Sequence, residues 1–92
     1  MDGFLEREIV IANAKGLHAR AAARVAVLAE GYDAKGVLFF ENEEADLRSI
    51  LDLLTLGAAQ GARVRLRVWG AQARELAEAL VALIRAKFGE EE

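Results

Sequence analysis

Between Arg63 and Trp69 polar and apolar residues alternate without a break: Arg63, Arg65 and Arg67 fall on one face of an extended chain, Val64, Leu66 and Val68 on the other. Successive side chains of a strand point to opposite faces, so this segment reads as a strand with one wet and one buried face. Antiparallel sheets covered on one side have this pattern. The cover then has to come from amphipathic helices, and two segments have the spacing for it. Leu76, Leu80, Leu83, Ile84 and Phe88 form one apolar stripe in a helix predicted from Ala71 to Phe88. Ala22, Val25, Leu28 and Ala29 do the same in an alanine-rich helix predicted from His18 to Glu30, with Gly31 placed to end it as a left-handed cap.

Leu5 to Ala12, rich in Ile and Val, and Lys35 to Phe40 read as strands. The polar reversal Glu41-Asn42-Glu43-Glu44 leads into a short third strand that runs to Leu47, and Ser49 to Leu56 is a short apolar helix closed by Gly57. The order βαββαβα predicts an α+β fold, an open-faced two-layer sandwich with three helices on one face of a four-stranded antiparallel sheet. If the first and last strands are neighbours, Glu6 and Glu8 face the three arginines.

The 92 residues are enough for one domain over residues 1–92. Its core is thin, because a chain of this size buries roughly 60–65% of its unfolded surface. With no cysteine and one histidine there is no disulfide framework and no ligand set for zinc, and no metal or cofactor is expected. Met1 to Glu6 carries acids where a signal peptide needs basic residues, and no apolar run approaches the roughly 18 residues of a membrane span. The expectation is a cytoplasmic monomer without membrane insertion. A net charge of −3 argues against a nucleic-acid partner. The distribution of charge is more informative. From Ile9 to Ala29 there is no Asp or Glu, while Lys15, Arg20 and Arg24 all fall there; the acids gather at Glu41, Glu43, Glu44 and Asp46 and at Glu90 to Glu92. Beside the reading of an ordinary mixed surface stands that of an anion-attracting patch centred near His18.

In Gly16-Leu17-His18-Ala19-Arg20 a glycine turn delivers the chain into a helix, with His18 at or just before its first residue. The first turn of a helix leaves backbone N–H groups without intrahelical partners, and no Ser, Thr, Asp or Asn stands at the cap position to take them. Open amides and the positive end of the helix dipole favour an anion, and Arg20 adds a planar donor fork suited to phosphate. The same field disfavours imidazolium, leaving a ring lone pair free to attack. Read alone, His18 fits a solvent-exposed or capping role as well as that of a nucleophile.

The wider pattern is more specific. Gly16-Leu17-His18-Ala19-Arg20, followed further along by Arg48-Ser49-Ile50-Leu51 and Thr55-Leu56-Gly57, resembles the histidine-containing phosphocarrier protein (HPr) family of the phosphoenolpyruvate-dependent phosphotransferase system. The resemblance covers essentially the whole chain. It implies a phosphoryl carrier rather than an enzyme, with His18 modified at Nδ1 and Arg20 as the active-site arginine. It also implies receipt from enzyme I and donation to sugar-specific enzyme IIA proteins in carbohydrate uptake. Two positions depart from the family. Ala21 replaces a proline that would hold Arg20 in extended backbone, which lets the helix begin earlier. At the central hairpin Asn42 is followed by Glu43 rather than Gly, with a weaker turn preference.

Ser49 and Asp52 have the spacing of a capping box. The resemblance adds a second role for Ser49, as a regulatory site for a dedicated kinase and phosphatase. Ile50, Leu51 and Leu54 cannot all point inward from so short a helix. Together with Ala19, Ala23 and Val27 they could form an apolar docking patch beside His18, rimmed by Arg20, Arg24 and Arg48. Two other functions stay open: a related carrier in a regulatory or nitrogen-related relay, and a non-catalytic interaction domain of the same topology.

Overall fold

The computed structural model describes residues 3–92; Met1 and Asp2, part of the acidic start, lie outside the described residues. Four strands, β1 (Leu5–Val10), β2 (Lys35–Phe40), β3 (Glu43–Asp46) and β4 (Arg63–Trp69), form one antiparallel sheet in the order β1-β4-β2-β3. Helices α1 (Ala19–Glu30), α2 (Ile50–Leu56) and α3 (Ala73–Arg85) give the order βαββαβα, with a 3-10 turn at Lys87–Gly89. The fold class read from the sequence is the one observed.

The alternation in β4 sorts its side chains as expected. Val64, Leu66 and Val68 are wholly buried beneath the helices, where Leu38, Leu53, Leu76, Leu80, Ile84 and Phe88 meet them. The arginines lie on the open face. Glu6 pairs across the strands with Arg67, its Oε2 lying 2.7 Å from the guanidinium, and Arg65 stacks over Phe39. Glu8 stands opposite Arg65 in register. These partly exposed pairs contribute little beyond strand register.

Three local readings are corrected. Gly31 caps α1 with φ −81, a right-handed conformation, because its N–H reaches back to the Leu28 carbonyl without a left-handed turn. The two residues of the β2–β3 hairpin are Glu41 and Asn42, since Phe40 pairs with Glu43; Glu41 takes φ 55. The last helix stops at Arg85 instead of running through Phe88. Lys87, Phe88 and Gly89 then take φ 59, 56 and 83, which reverses the chain. Burial of Phe88 drives this reversal: its ring is fully enclosed, a gain of about 1.5–3 kcal/mol for an apolar side chain of this size.

Candidate functional site

The loop from β1 to α1 is locked from below. Gly16 has φ +67, and a Cβ there would lie 2.6 Å from the Ala58 carbonyl oxygen and 2.8 Å from the Ala59 Cα. Only glycine permits so close a crossing of two backbones. The adjacent Leu17 is buried, and its N–H donates to the Ala58 carbonyl at 2.9 Å. Inside the loop the wholly buried Asn13 donates from Nδ2 to the Gly16 carbonyl at 2.8 Å. His18 therefore leaves a fixed platform.

His18 is the N-cap of α1, in extended backbone (φ −84, ψ −175). No Ser, Thr, Asp or Asn stands at this cap; the imidazole itself takes the capping role that the sequence left open for it. The Arg20 N–H donates to Nδ1 at 3.3 Å, a long contact, while the amides of Ala19 and Ala21 belong to the first turn, which has no intrahelical acceptors for them. The helix does begin directly after His18, as Ala21 in place of proline permits. The ring keeps about a quarter of its surface open to solvent. Arg20 and Lys15 are exposed beside it, and among the described residues the Arg20 guanidinium makes no hydrogen bond.

Glu90 is the residue that sequence reasoning missed. The tail acids seemed remote from the basic patch, yet the reversal at Lys87–Gly89 lays them against it. Ala14, Lys15, Arg20 and Glu90 to Glu92 line one shallow depression. The Glu90 carboxylate pairs with His18 Nε2 through Oε2, and through Oε1 accepts from Asn13 Nδ2 at 2.9 Å. The ring hydrogen bond foremost, then that from Asn13, hold its carboxyl below the usual glutamate range, against the weaker effect of desolvation. The only hint in the sequence was opposite charge: Glu90 to Glu92 against the acid-free stretch from Ile9 to Ala29 that carries Lys15, Arg20 and Arg24.

The other candidate residues divide between two settings. Val27 and Leu51 are about three-quarters exposed, Ile50 and Leu54 less so, and Ala19 and Ala23 stand between them and the histidine on α1. Leu53 and Leu56 carry the inward face of α2 instead. Arg24 is turned to the C-terminal segment, donating to the Phe88 carbonyl. Arg48 donates to the carbonyls of Ala29, Tyr32 and Ala34 at 3.0–3.2 Å, which ties the end of α1 to the start of β2. Ser49 Oγ accepts from the Asp52 N–H at 3.1 Å, half of a capping box; the Asp52 carboxylate turns to the Asp46 N–H rather than back to Ser49.

Residues 5–86 match the family described as the PTS HPr component phosphorylation site. The chain belongs to the HPr family of phosphocarrier proteins. It is a relay component of the phosphotransferase system rather than a catalytic enzyme. It is similar to phosphocarrier protein NPr of Shewanella violacea, 40% identical over 94% of each chain, and to phosphocarrier protein HPr of Cupriavidus necator, 36% identical over 97% of this chain and all of the other. Among solved structures, HPr of Thermoanaerobacter tengcongensis superposes with a TM-score of 0.90 at 38% identity, covering 96% of this chain and 99% of that one. No helix of the described residues is long and apolar enough to cross a membrane.

Proposed function

We propose that this HPr-family chain relays a phosphoryl group through His18, from phosphorylated enzyme I to enzyme IIA proteins of carbohydrate uptake. The observation that carries the reading is the cap geometry: a solvent-reachable imidazole whose Nδ1 faces the amides that open α1. Nδ1 attacks phosphorus with its lone pair. A nitrogen–phosphorus bond forms, and the bond from phosphorus to the donor breaks with its electron pair going to the donor. The reverse step hands the group to the acceptor. The first-turn amides and Arg20 meet the phosphoryl oxygens, and in such transfers positioning and charge stabilisation are most of what a protein supplies. No resident metal or cofactor takes part.

Docking falls to Ala19, Ala23, Val27, Ile50, Leu51 and Leu54, an apolar surface beside His18, with Arg20 and Arg24 at its rim. Arg48 contributes there only with the donors its three carbonyl contacts leave free. Ser49 caps α2, and in a chain served by a serine kinase it is also the regulatory site. The protein works as a cytoplasmic monomer. A second reading, a carrier of the nitrogen-related branch, is favoured by the similarity to NPr of Shewanella violacea; it uses the same chemistry with a different acceptor.

Incubation with phosphoenolpyruvate and enzyme I, followed by intact mass measurement, tests the reading. One phosphate is expected, acid-labile and alkali-stable, absent from His18→Ala and acquired slowly by a folded Arg20→Ala. An unlabelled protein beside a labelled control carrier would refute the assignment. Transfer to a sugar-specific rather than a nitrogen-branch acceptor separates the two readings.

A further inference from the structure

The carboxylate on His18 arrives by a route that the backbone resists. Two residues with side chains, Lys87 and Phe88, adopt left-handed conformations in succession, which L-residues disfavour, and Gly89 follows with φ 83. The segment is then pinned on both sides: Arg24 donates to the Phe88 carbonyl, and the Ala14 N–H donates to the backbone oxygen of Glu92. Glu90 lies between these ties, and its two oxygens are divided between two donors. Asn13 Nδ2 serves Oε1 from a wholly buried side chain, and His18 Nε2 faces Oε2.

An ionised carboxylate has no proton to give, so the Nε2 it faces carries the hydrogen. Nδ1 in turn accepts from the Arg20 N–H. Both contacts specify the same tautomer, the one whose unprotonated nitrogen is Nδ1 beside the helix opening, its lone pair engaged only by the long Arg20 contact that it gives up on attack. We infer that Glu90 is a positioning residue for phosphoryl transfer, holding His18 by Nε2–H so that Nδ1 carries the attacking lone pair.

The inference rests on the reading of His18 as phosphoryl acceptor and adds a partner to it. When Nδ1 bonds to phosphorus the ring acquires positive charge, because its Nε2 proton stays in place. The carboxylate compensates that charge, and when the phosphoryl group leaves, the bonding pair returns to Nδ1 and the neutral ring is restored. No proton has to be delivered or removed by solvent. A carboxylate standing behind a histidine and orienting it is a recurrent arrangement in nucleophilic sites. An amide cannot replace it. Glutamine has one oxygen for two donors, so its NH2 group would confront either Asn13 Nδ2 or His18 Nε2.

The test uses the whole chain as wild type, Glu90→Ala, Glu90→Gln and Glu91→Gln, with phosphoramidate as a small phosphoryl donor. Wild-type protein is expected to show a low-field Nε2–H proton resonance with Nδ1 unprotonated by nitrogen NMR. Both Glu90 variants lose that resonance and label His18 on the order of tenfold more slowly, the lower end of what loss of such an orienting partner does. Glu91→Gln removes the neighbouring charge and keeps both the wild-type signal and the wild-type rate. A Glu90→Ala protein with unchanged signal and rate would overturn the inference. So would one that labels faster, which would make the tail a plug over the site. Absence of labelling at His18 in the wild type itself would instead remove the reading beneath it.

Discussion

Gly16→Ala puts the link between fold and site under the hardest strain, and Gly61→Ala is its control. Both glycines have positive φ, +67 and +89, but a Cβ at Gly61 meets nothing within 4 Å, whereas at Gly16 it meets backbone atoms at 2.6 and 2.8 Å. The left-handed conformation costs a residue with a side chain about 1–2 kcal/mol. The stiffer unfolded chain of the alanine variant offsets about 0.4–1 kcal/mol of that. Gly61→Ala should therefore lose only about 0.5–1 kcal/mol. Gly16→Ala suffers the same loss plus a clash that no side-chain rotation relieves, and forced overpacking adds about 1–3 kcal/mol. Its total of about 2–4 kcal/mol corresponds to a fall in Tm of roughly 10–25 °C, against about 2–8 °C for the control. Thermal unfolding of the two variants side by side, followed by circular dichroism, gives the comparison. Equal melting temperatures would refute the claim that the Gly16 loop is fixed by contact with Ala58 and Ala59 rather than by its own dihedral angle.

Glu41→Gly releases a left-handed glutamate in the two-residue β2–β3 turn and is expected to raise stability by about 0.5–1 kcal/mol, read as a higher urea midpoint at unchanged slope; a lower midpoint would contradict the turn geometry. The Glu90 carboxyl titrates below the usual glutamate range because of His18 and Asn13, so the tail contact contributes stability that is full above the unfolded glutamate value and is lost as pH falls through the lower folded value. Carbon-detected NMR of the Glu90 carboxyl in His18→Ala should place its titration midpoint above that of the wild type, and an unmoved midpoint would show that the ring is not the cause.

The sheet and the helix that carries the histidine were legible because their signals are local. The alternation in Arg63–Trp69 has one structural solution, and a run of alanine after Gly16-Leu17-His18 can hardly be anything but a helix starting there. The errors arose where tertiary packing overrides local preference. Leu80, Ile84 and Phe88 keep helical spacing, so Phe88 looked like one more turn of the stripe; in the fold it reaches the core through a left-handed reversal that nothing in its own neighbourhood favours. The position of Glu90 depends on that reversal, which is why a carboxylate 72 residues from the histidine was invisible. Arg48 has a tertiary role that was equally hidden: beside Ser49 it reads only as a basic rim, whereas its guanidinium also donates to three backbone carbonyls at the end of α1 and the start of β2.

A carrier has a constraint that an enzyme with a deep pocket does not, since it must release what it has bound to a partner of comparable affinity. The site proposed around His18 would meet this by assembling several small effects at the surface. The nearest amide contact to the ring is long, at 3.3 Å, the Arg20 guanidinium is exposed, and the ring remains open to solvent on one side. None of these would trap a phosphoryl group, because charged hydrogen bonds at an exposed site lose most of their strength to water. What the fold does fix tightly lies behind the ring, in the Gly16 crossing, the buried Asn13 and the carboxylate it orients. On the function proposed for His18, rigidity thus governs which nitrogen attacks and from what direction, while the grip on the transferred group stays weak, and reversibility follows from that division.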